Sequence, residues 1–562
     1  MKKIFFSIIL TSVFYLLFSL PTHAQTNNKV GISLLQPTNE DIKEAAMMIN
    51  GNGGDYGYVT LVIQENDRDV RKWQDLFEQL REHHLIPIIR LATSPEGEVW
   101  RRPEEKDATE WVQFLNKLNW VVQKRYVSLF NEPNHAVEWG GEVDPESYGA
   151  VALAFAKALK ESNPDYVVML AGLDGAAPSY ASQYEDSGIF IKKLVTNHYS
   201  LFTYIDAWAS HSYPNPGFVG SVWDTGKKSI RGYDFELSLL KELGVTKELP
   251  VFITETGWKQ GALSELSISE NIYSAYTQIW NKDDRVQAVT PFVFSYLAEP
   301  FIGFSWKNSS GPTAQATVVK DITKIKGAPK QLQSGAFSIE FPSTLIARST
   351  YHFTVDLKNT GQAIWGQNDE YTLRLISNTD EVQSLISDIY PIKPFNEGRM
   401  SITIKTPQKP QTISLTLLLQ RKGETLLTSK KFSIVIEPFP DLIIKTSLFP
   451  KLISNGQGFE VQLFNNKEEL VFSRKGIAMK KGVLNVEAIS GIIPGEWYRV
   501  VVLGYPYLPR QDIQIIRKGK NTISLKRLLP FDSDGNGKLD LNDVKVAFGN
   551  PGFFLRFIPW RE

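Results

Sequence analysis

The chain has 562 residues, of which 42% are hydrophobic and 22% charged, and its 61 lysine and arginine residues balance 61 aspartate and glutamate residues. Because the net charge is zero, neither a nucleic acid nor an anionic membrane is the expected partner. The length is too great for a single hydrophobic core and predicts about two to four domains. The sequence contains no cysteine, which excludes disulfides and a thiol nucleophile.

Residues 1–24 have the composition of a signal peptide. Two lysines precede the apolar run Ile4–Leu20, and Thr22 and Ala24 place small residues before a cleavage point at Gln25. We therefore expect a secreted or cell-surface protein. The alternative is an uncleaved membrane anchor, for which the apolar run is short.

Residues 25–325 alternate between short apolar runs and helical patterns. The runs that predict strands are Val30–Leu35, Tyr58–Ile63, Leu85–Leu91, Tyr126–Phe130, Tyr166–Ala171, Ile205–Ser210, Val251–Thr254 and Val286–Tyr296. Asp144 before Pro145 predicts the start of one helix, and Ser267 with Glu270 predicts a capping box at another. Strands that alternate with helices in this way predict an α/β fold, a closed (β/α)8 TIM barrel. An open doubly wound sheet is the alternative, but no glycine-rich phosphate loop follows the first strand.

Two of the predicted strands end in a glutamate. Glu132 follows the fourth strand, which Pro133 ends because proline cannot continue a central strand. Glu255 follows the seventh strand, which Gly257 ends. In a parallel barrel the chemistry lies at these strand ends, and a pair of carboxylates is what glycoside hydrolysis requires.

The Asn131-Glu132-Pro133 motif on the fourth strand and Glu255 on the seventh resemble the large clan A of retaining (β/α)8 glycoside hydrolases. The resemblance covers residues 29–325 and implies that Glu132 is the general acid/base and Glu255 the nucleophile, with no cofactor for catalysis. It also implies that Asn131 binds the sugar 2-OH. The stretch that follows Pro133 is similar to the cellulase, β-xylosidase and exopolysaccharide-hydrolase branches.

The resemblance also suggests supporting residues. His211 and Tyr213 lie on one face of the sixth strand end, where a His and a Tyr contact the catalytic carboxylates in this clan. We expect the Tyr213 hydroxyl to donate to Glu255. Arg90 ends the third strand, one strand later than the arginine of many clan members, and a cation there would keep the nucleophile ionised; the alternative is an ion pair with a neighbouring acid.

Aromatic residues are the expected sugar-stacking surfaces. Clan members usually have a tryptophan at the end of strand eight, and this sequence has none there. Tyr296 is one substitute, and Trp306 folding back is another. Trp139 and Trp258 follow the two glutamates, and each either stacks on a sugar or braces its loop.

Residues 326–334 are predicted to be a linker, and the chain after them is rich in short alternating strands. Residues 335–438 predict a β-sandwich whose Asn359–Trp365 stretch resembles Ig-like modules. Residues 439–527 predict a second small sandwich. Both modules are expected to act as spacers, with carbohydrate binding as the alternative.

Residues 528–562 form a tail with a 12-residue calcium-loop pattern. Glycine is needed at position 6, where Gly537 stands. The loop resembles one repeat of a dockerin. Because a dockerin has two repeats and only one is seen here, the expected role is a structural Ca²⁺ site, with a cohesin-like or cell-surface partner as the alternative. The predicted ligands are Asp532, Asp534, Asn536, the Lys538 carbonyl, Asp540 and Asp543.

Taken together, the residues predict an exported retaining β-glycoside hydrolase whose partner is a glycan. Two other functions stay open at this stage. A non-catalytic carbohydrate-binding surface protein would use the same barrel without the chemistry, since fold alone does not give function. A transglycosylase would use the same two glutamates and pass the sugar to an acceptor other than water.

Overall fold

The computed structural model describes residues 27–180, 182–366, 370–450, 454–550 and 552–555, so the predicted signal peptide lies outside the described residues. The chain divides into two compact units between Leu332 and Gln333. Within the described part of the chain, no helix combines the length and the apolar character needed to cross a membrane.

The first unit is a closed barrel of parallel strands. Over its described residues the strands are β1 Gly31–Leu34, β2 Gly57–Gln64, β3 Leu85–Ala92, β4 Arg125–Leu129, β5 Tyr166–Leu170, β6 Trp208–His211, β7 Val251–Glu255 and β8 Val286–Val289. Strands β1 to β5 pair in chain order, and so do β6 to β8. Single parallel bridges between Met169 and Ala207 and between Val30 and Val289 join the two arcs, so the sheet closes.

A helix follows each strand and covers the outside of the barrel. The helices are α1 Asn39–Ile49, α2 Val70–Glu82, α3 Asp107–Lys117, α4 Pro145–Ser162, α5 Ser187–Asn197, α6 Gly232–Glu242, α7 Glu265–Ser274 and α8 Ala314–Asp321. Short 3-10 turns cover Glu65–Asp67, Ala136–Glu138, Tyr199–Thr203 and Ile302–Phe304. Helix α7 continues as a π-helical turn, Ala275–Ile279, and then a 3-10 turn, Trp280–Lys282. Two-residue hairpins pair Pro95–Glu96 with Val99–Trp100 and Lys307–Asn308 with Gly311–Pro312. The barrel interior and the helix-facing side form one hydrophobic core.

Local signals explain where these elements begin. Asp144 caps α4 ahead of Pro145, as predicted, and its carboxylate accepts from the Ser147 N–H at 3.0 Å. The predicted capping box at Ser267 and Glu270 is wrong. Helix α7 begins three residues earlier, because the Ser264 hydroxyl accepts from the Ser267 N–H and so serves as the cap itself.

Strand β8 is much shorter than the predicted Val286–Tyr296. It ends at Val289, and the chain then turns across the end of the barrel. The Ser33 N–H donates to the Pro291 carbonyl at 2.9 Å, and the Phe294 N–H donates to the Ser33 carbonyl. The residues after Val289 therefore lie across the end of the barrel instead of extending the strand.

The predicted linker is tied to the barrel over most of its length. The Gly327 N–H donates to the Asp55 carbonyl at 3.0 Å, and the Lys330 carbonyl accepts from the Gln123 N–H at 2.8 Å. The Gln331 side chain donates to the Val121 carbonyl at 2.9 Å. Residues 326–331 therefore belong to the first unit.

The described part of the second unit is almost entirely β. Its strands are β9 Gly335–Ser338, β10 Thr344–Ile346, β11 Thr350–Asn359, β12 Tyr371–Ser377, β13 Gln383–Ile386, β14 Glu397–Lys405, β15 Gln411–Arg421, β16 Glu424–Thr428, β17 Phe432–Glu437, β18 Asp441–Lys445, β19 Gly456–Phe464, β20 Leu470–Lys480, β21 Val483–Val486, β22 Trp497–Gly504, β23 Tyr507–Ile515 and β24 Lys520–Ser524. The helices α9 Leu541–Gly549 and α10 Gly552–Leu555 follow them.

The two β modules of this unit differ in construction. In the first, the sheets β9-β11-β14-β13 and β10-β17-β15-β12, with β16 paired to β15, enclose a core around Trp365. In the second, the described strands form one continuous seven-stranded sheet, β23-β22-β19-β20-β21-β18-β24, around a separate core. A two-sheet sandwich was predicted there. Alternating strands do not show from sequence alone whether neighbouring sheets join at their edges.

Candidate active site

A cleft of about 1320 Å³ lies at the C-terminal ends of the barrel strands. Glu132 follows β4 and Glu255 ends β7, and both line this cleft. One carboxylate oxygen of each lies within 4.8 Å of the other and of a ring nitrogen of His211. The closed barrel therefore brings together the two glutamates that the sequence singled out.

The turn that carries Glu132 has an unusual backbone. Phe130 and Glu132 have φ angles of 72° and 31°, in the left-handed region that residues with side chains rarely adopt. Such a residue costs on the order of 1–3 kcal/mol and persists only where its surroundings hold it. Here the Glu132 N–H donates to the Gly172 carbonyl at 3.2 Å, and the Glu132 carbonyl accepts from the His135 N–H at 2.8 Å. These two bonds fix the turn that directs the Glu132 side chain into the cleft.

His211, the last residue of β6, supports Glu132. Its Nδ1 lies 2.7 Å from Glu132 Oε1 and 3.9 Å from Glu255 Oε2. Burial lowers the pKa of His211, but the Glu255 and Glu132 carboxylates outweigh burial and hold that pKa above its usual value. The space for the ring depends on Gly172 at the end of β5, because a Cβ there would lie 2.2 Å from the ring carbon Cδ2.

Glu255 is held ionised by its partners. The Tyr213 hydroxyl donates to Oε2 at 3.0 Å, as predicted, and Arg90 Nη1 donates to Oε1. Burial raises the pKa of Glu255, but His211, Arg90 and Tyr213 together outweigh burial and hold that pKa below its usual value. The same burial, with Glu255 beside it, raises the pKa of Tyr213, so this hydroxyl keeps its proton and remains a donor.

Asn131 is placed by the same arginine. Arg90 Nη1 donates to Asn131 Oδ1 at 2.7 Å, so Arg90 joins the Asn131 amide and the Glu255 carboxylate. With its oxygen occupied, the Asn131 side chain keeps N–H groups to donate within the cleft. The acid that pairs with Arg90 is thus Glu255 itself. Arg90 therefore lies where a cation keeps the nucleophile charged, the role predicted for it from the sequence.

Sugar stacking by Trp139 and Trp258 is wrong as a prediction. Both indoles are buried: Trp139 borders the cleft without an exposed ring face, and Trp258 lies outside the cleft lining. Trp139 Nε1 donates to the Ser147 hydroxyl at 3.3 Å, and Trp258 Nε1 donates to the Gly220 carbonyl at 2.9 Å. Each therefore braces the loop behind a glutamate, which was the predicted alternative.

The floor of the cleft at β8 has a different aromatic set from the one expected. Tyr296 lines the cleft as predicted. Trp306 instead folds back onto the chain after β8 and is buried, and its backbone N–H donates to the Val293 carbonyl at 3.0 Å. Phe292, which the sequence analysis missed, lines the cleft beside Phe301 and Phe304. Pro291, two residues after the end of β8, was the signal that would have placed Phe292 there, because proline does not continue a central strand.

Among the polar cleft residues that the sequence analysis missed are two acids and a histidine near Glu132. Glu138 ends the 3-10 turn after Glu132 and lines the cleft. His135 and Asp174 line it too, with His135 Nε2 at 2.9 Å from Asp174 Oδ2. The sequence does show that His135 and Glu138 follow the Asn-Glu-Pro motif closely and that Asp174 follows the fifth strand. Which of them face the cleft depends on the loop conformations.

The tail loop presents a cluster of carboxylates. Among the described residues, Asp532, Asp534 and Asp543 each place one oxygen within 4.8 Å of the others. Gly537 has a φ of 78°, as the sharp turn at position 6 of a calcium loop requires. Asp540 caps α9, and the Asn536 amide donates to Asp534 and Asp540. Three of the six predicted ligands therefore lie close enough together to share a cation, and their carboxylate oxygens are donors of the kind that Ca²⁺ prefers.

No protein-family model matches the sequence, and no curated protein matches it. Among 163 matching chains of solved structures is AbfB, a family 51 α-L-arabinofuranosidase from Bifidobacterium longum, with a TM-score of 0.39, 10% identity, and coverage of 83% of this chain and 95% of that one.

A fungal β-1,4-galactanase gives a TM-score of 0.38 at 13% identity over 53% of this chain and 100% of that one. A β-mannanase from Thermomonospora fusca gives 0.33 at 13% over 50% and 85%. Scores this low support no conclusion about function, so the barrel is assigned from its strand pairing and the site from its side chains.

Proposed function

We propose that the protein is a retaining glycoside hydrolase that acts on a β-linked glycan. The observation that carries the proposal is the pair of glutamates at the ends of β4 and β7, with carboxylate oxygens within 4.8 Å of each other. Retaining enzymes separate these groups by about 5–5.5 Å, whereas inverting enzymes need about 6.5–9.5 Å to admit a water between them. The geometry therefore favours a covalent route.

In the first step Glu255 attacks the anomeric carbon while Glu132 gives its proton to the leaving oxygen. The C–O bond to the leaving sugar breaks, and an ester bond to Glu255 forms. In the second step Glu132 removes a proton from water, which attacks the same carbon and releases Glu255. The anomeric configuration is retained because it is inverted twice.

The neighbours of each glutamate support these roles. Arg90 and Tyr213 hold Glu255 in its charged form and orient it for attack. His211 is hydrogen-bonded to Glu132 and fixes the carboxyl that moves the proton. Asn131 offers N–H donors to the sugar beside the reacting bond, a contact that speeds the reaction if it strengthens in the transition state.

The size of the cleft favours an oligosaccharide or polysaccharide. Pockets for small ligands are about 300–1,000 Å³, and this cleft is about 1320 Å³. Aromatic and polar side chains share its walls, as the apolar faces and the hydroxyl-bearing edges of a sugar ring require. Tyr296, Phe292 and Phe301 supply the apolar part on the β8 side.

The test is hydrolysis of aryl β-glycosides and β-linked polysaccharides by the wild type, Glu255→Ala and Glu132→Ala. We expect the Glu255 variant to lose activity by about three orders of magnitude or more. Azide then separates the roles. In Glu255→Ala, azide should act as the nucleophile in place of the missing carboxylate and yield an α-glycosyl azide. In Glu132→Ala, azide should attack the glycosyl-enzyme and yield a β-glycosyl azide.

The exposed Glu142 on the same loop supplies the control variant Glu142→Ala, which should keep wild-type rates. If the wild type binds glycans without turnover and Glu255→Ala binds them equally well, the protein is a carbohydrate-binding surface protein and not an enzyme. Products lengthened by an added acceptor sugar, in place of free sugar, would identify a transglycosylase.

The remaining parts of the chain complete the proposal. We propose that the protein is exported to the medium or the cell surface, that its Ig-like and second β modules act as spacers, and that the tail loop holds a structural Ca²⁺. Asp532, Asp534, Asn536, Asp540, Asp543 and the Lys538 carbonyl would be its ligands. The ion would neutralise the clustered carboxylates and stabilise the loop.

A further inference from the structure

The cleft contains a third carboxylate for which the proposed reaction has no use. Glu138 is half-buried at the end of the turn Ala136–Glu138 and lines the cleft, where Glu132, Glu255 and the Asn131 amide lie near it. Burial raises the pKa of Glu138, and the Glu132 charge raises it further, against smaller opposing effects of Asn131 and Arg90. The Glu138 carboxyl therefore holds a proton more readily than a free glutamate does, and a positive charge brought beside it favours its ionised form.

The cations of the cleft wall are already paired. Among the described residues that line the cleft, Arg90 is bound to Glu255, Lys72 lies 2.5 Å from Asp67, and His135 lies 2.9 Å from Asp174. Every cation that a sugar carboxylate or sulfate would meet in the cleft wall is therefore already in an ion pair.

A like charge brought next to this half-buried carboxyl is repelled when the group is ionised, because charges are less screened there than in bulk water. An ammonium group gains the opposite interaction, and a hydroxyl group can donate a hydrogen bond to the same carboxylate. The side of the cleft formed by the Glu132 turn therefore discriminates by charge.

We infer that Glu138 is a specificity-determining residue, which makes the cleft prefer a sugar with an ammonium group over a neutral sugar, and a neutral sugar over a uronic acid or sulfated sugar. This inference rests on the proposed function, whose site Glu138 shares. The substrate class is thus a neutral or amino-bearing glycan.

The test compares matched aryl β-glycosides in the gluco, galacto and manno series, each as the neutral sugar, the 2-amino sugar and the 6-carboxylate, at about pH 6, where the amine is charged. In the series that the wild type cleaves, we expect kcat/KM to fall in the order amino, neutral, carboxylate. In Glu138→Gln the amino-to-carboxylate ratio should drop by about tenfold to a hundredfold, as for other close charge pairs.

Glu142→Gln is the matched control, because it removes the same charge from an exposed position on the same loop. It should leave the ratio at the wild-type value. A loop distortion in Glu138→Gln would lower all three rates together, so the ratio separates a charge effect from a structural one.

Two results would overturn the inference: a carboxylate sugar cleaved as fast as its neutral partner, or an unchanged ratio in Glu138→Gln. If no glycoside is cleaved in any series, the proposed function fails instead. Calorimetry with β-1,4-linked tetrasaccharides of glucosamine, glucose and glucuronic acid then decides the charge preference by itself. Equal affinities for the three would overturn it.

Discussion

Substitution of Gly172 by alanine tests how the fold positions the proton-transfer residue. The backbone of Gly172 lies outside the left-handed region, so the effect of a methyl group there is steric alone. That methyl would lie 2.2 Å from His211 Cδ2 and 2.6 Å from Nε2, where ordinary contacts begin at 3.4 Å. The ring must therefore shift by about 1 Å, and the 2.7 Å hydrogen bond to Glu132 loses its geometry.

A misplacement of about 1 Å in a catalytic group costs about 10²-fold in rate, or about 2.7 kcal/mol. We therefore expect Gly172→Ala to lower kcat/KM on a cleaved glycoside about 100-fold. The overpacking itself should destabilise the barrel by about 1–3 kcal/mol, measured by thermal unfolding. The His211 ring resonances in NMR spectra report the displacement without any need for turnover.

The matched control is Gly149→Ala in α4. A Cβ at Gly149 would also lie 2.2 Å from a histidine ring carbon, that of His198, but neither residue lines the cleft. The control should show a similar steric destabilisation with normal kcat/KM. The reasoning is refuted if Gly172→Ala keeps wild-type kcat/KM and unshifted His211 resonances, or if the two variants lose activity equally.

Two further predictions follow from the electrostatics. Arg90→Met removes a charge that lowers the pKa of Glu255, so that pKa should rise and the acid limb of the kcat/KM profile should move to higher pH, with a loss of about tenfold to a hundredfold at the optimum. Tyr213→Phe should move the limb the same way by less, and a limb that stays in place in both variants would contradict this assignment. Ca²⁺ at 100 times its Kd should stabilise the second unit by about 2.7 kcal/mol in thermal unfolding. Chelation or Asp534→Ala should abolish that gain and the exposed control Asp388→Ala should keep it, whereas a gain that survives Asp534→Ala would place the ion elsewhere.

The strand and helix pattern of the barrel was predictable because it depends on local signals. Apolar runs of the right length, the Asp144 cap and the proline after Glu132 act over a few residues, and the structure has a strand or helix at nearly every predicted place. The Ser267 cap failed because Ser264 offers the same hydroxyl one turn earlier, and both are valid local solutions. Element ends are decided by such near-equal alternatives.

The sequence by itself determined that two glutamates stand at the ends of strands four and seven. Only the tertiary structure decided what surrounds them, since burial and contact arise between segments that are distant in the chain. It buried Trp139 and Trp258, moved Phe292 into the cleft, and left Glu138 facing the same space as Glu132. It also made Gly172, two residues after the end of β5, the condition for the position of His211 on β6, because the histidine ring occupies the space that a side chain at Gly172 would fill.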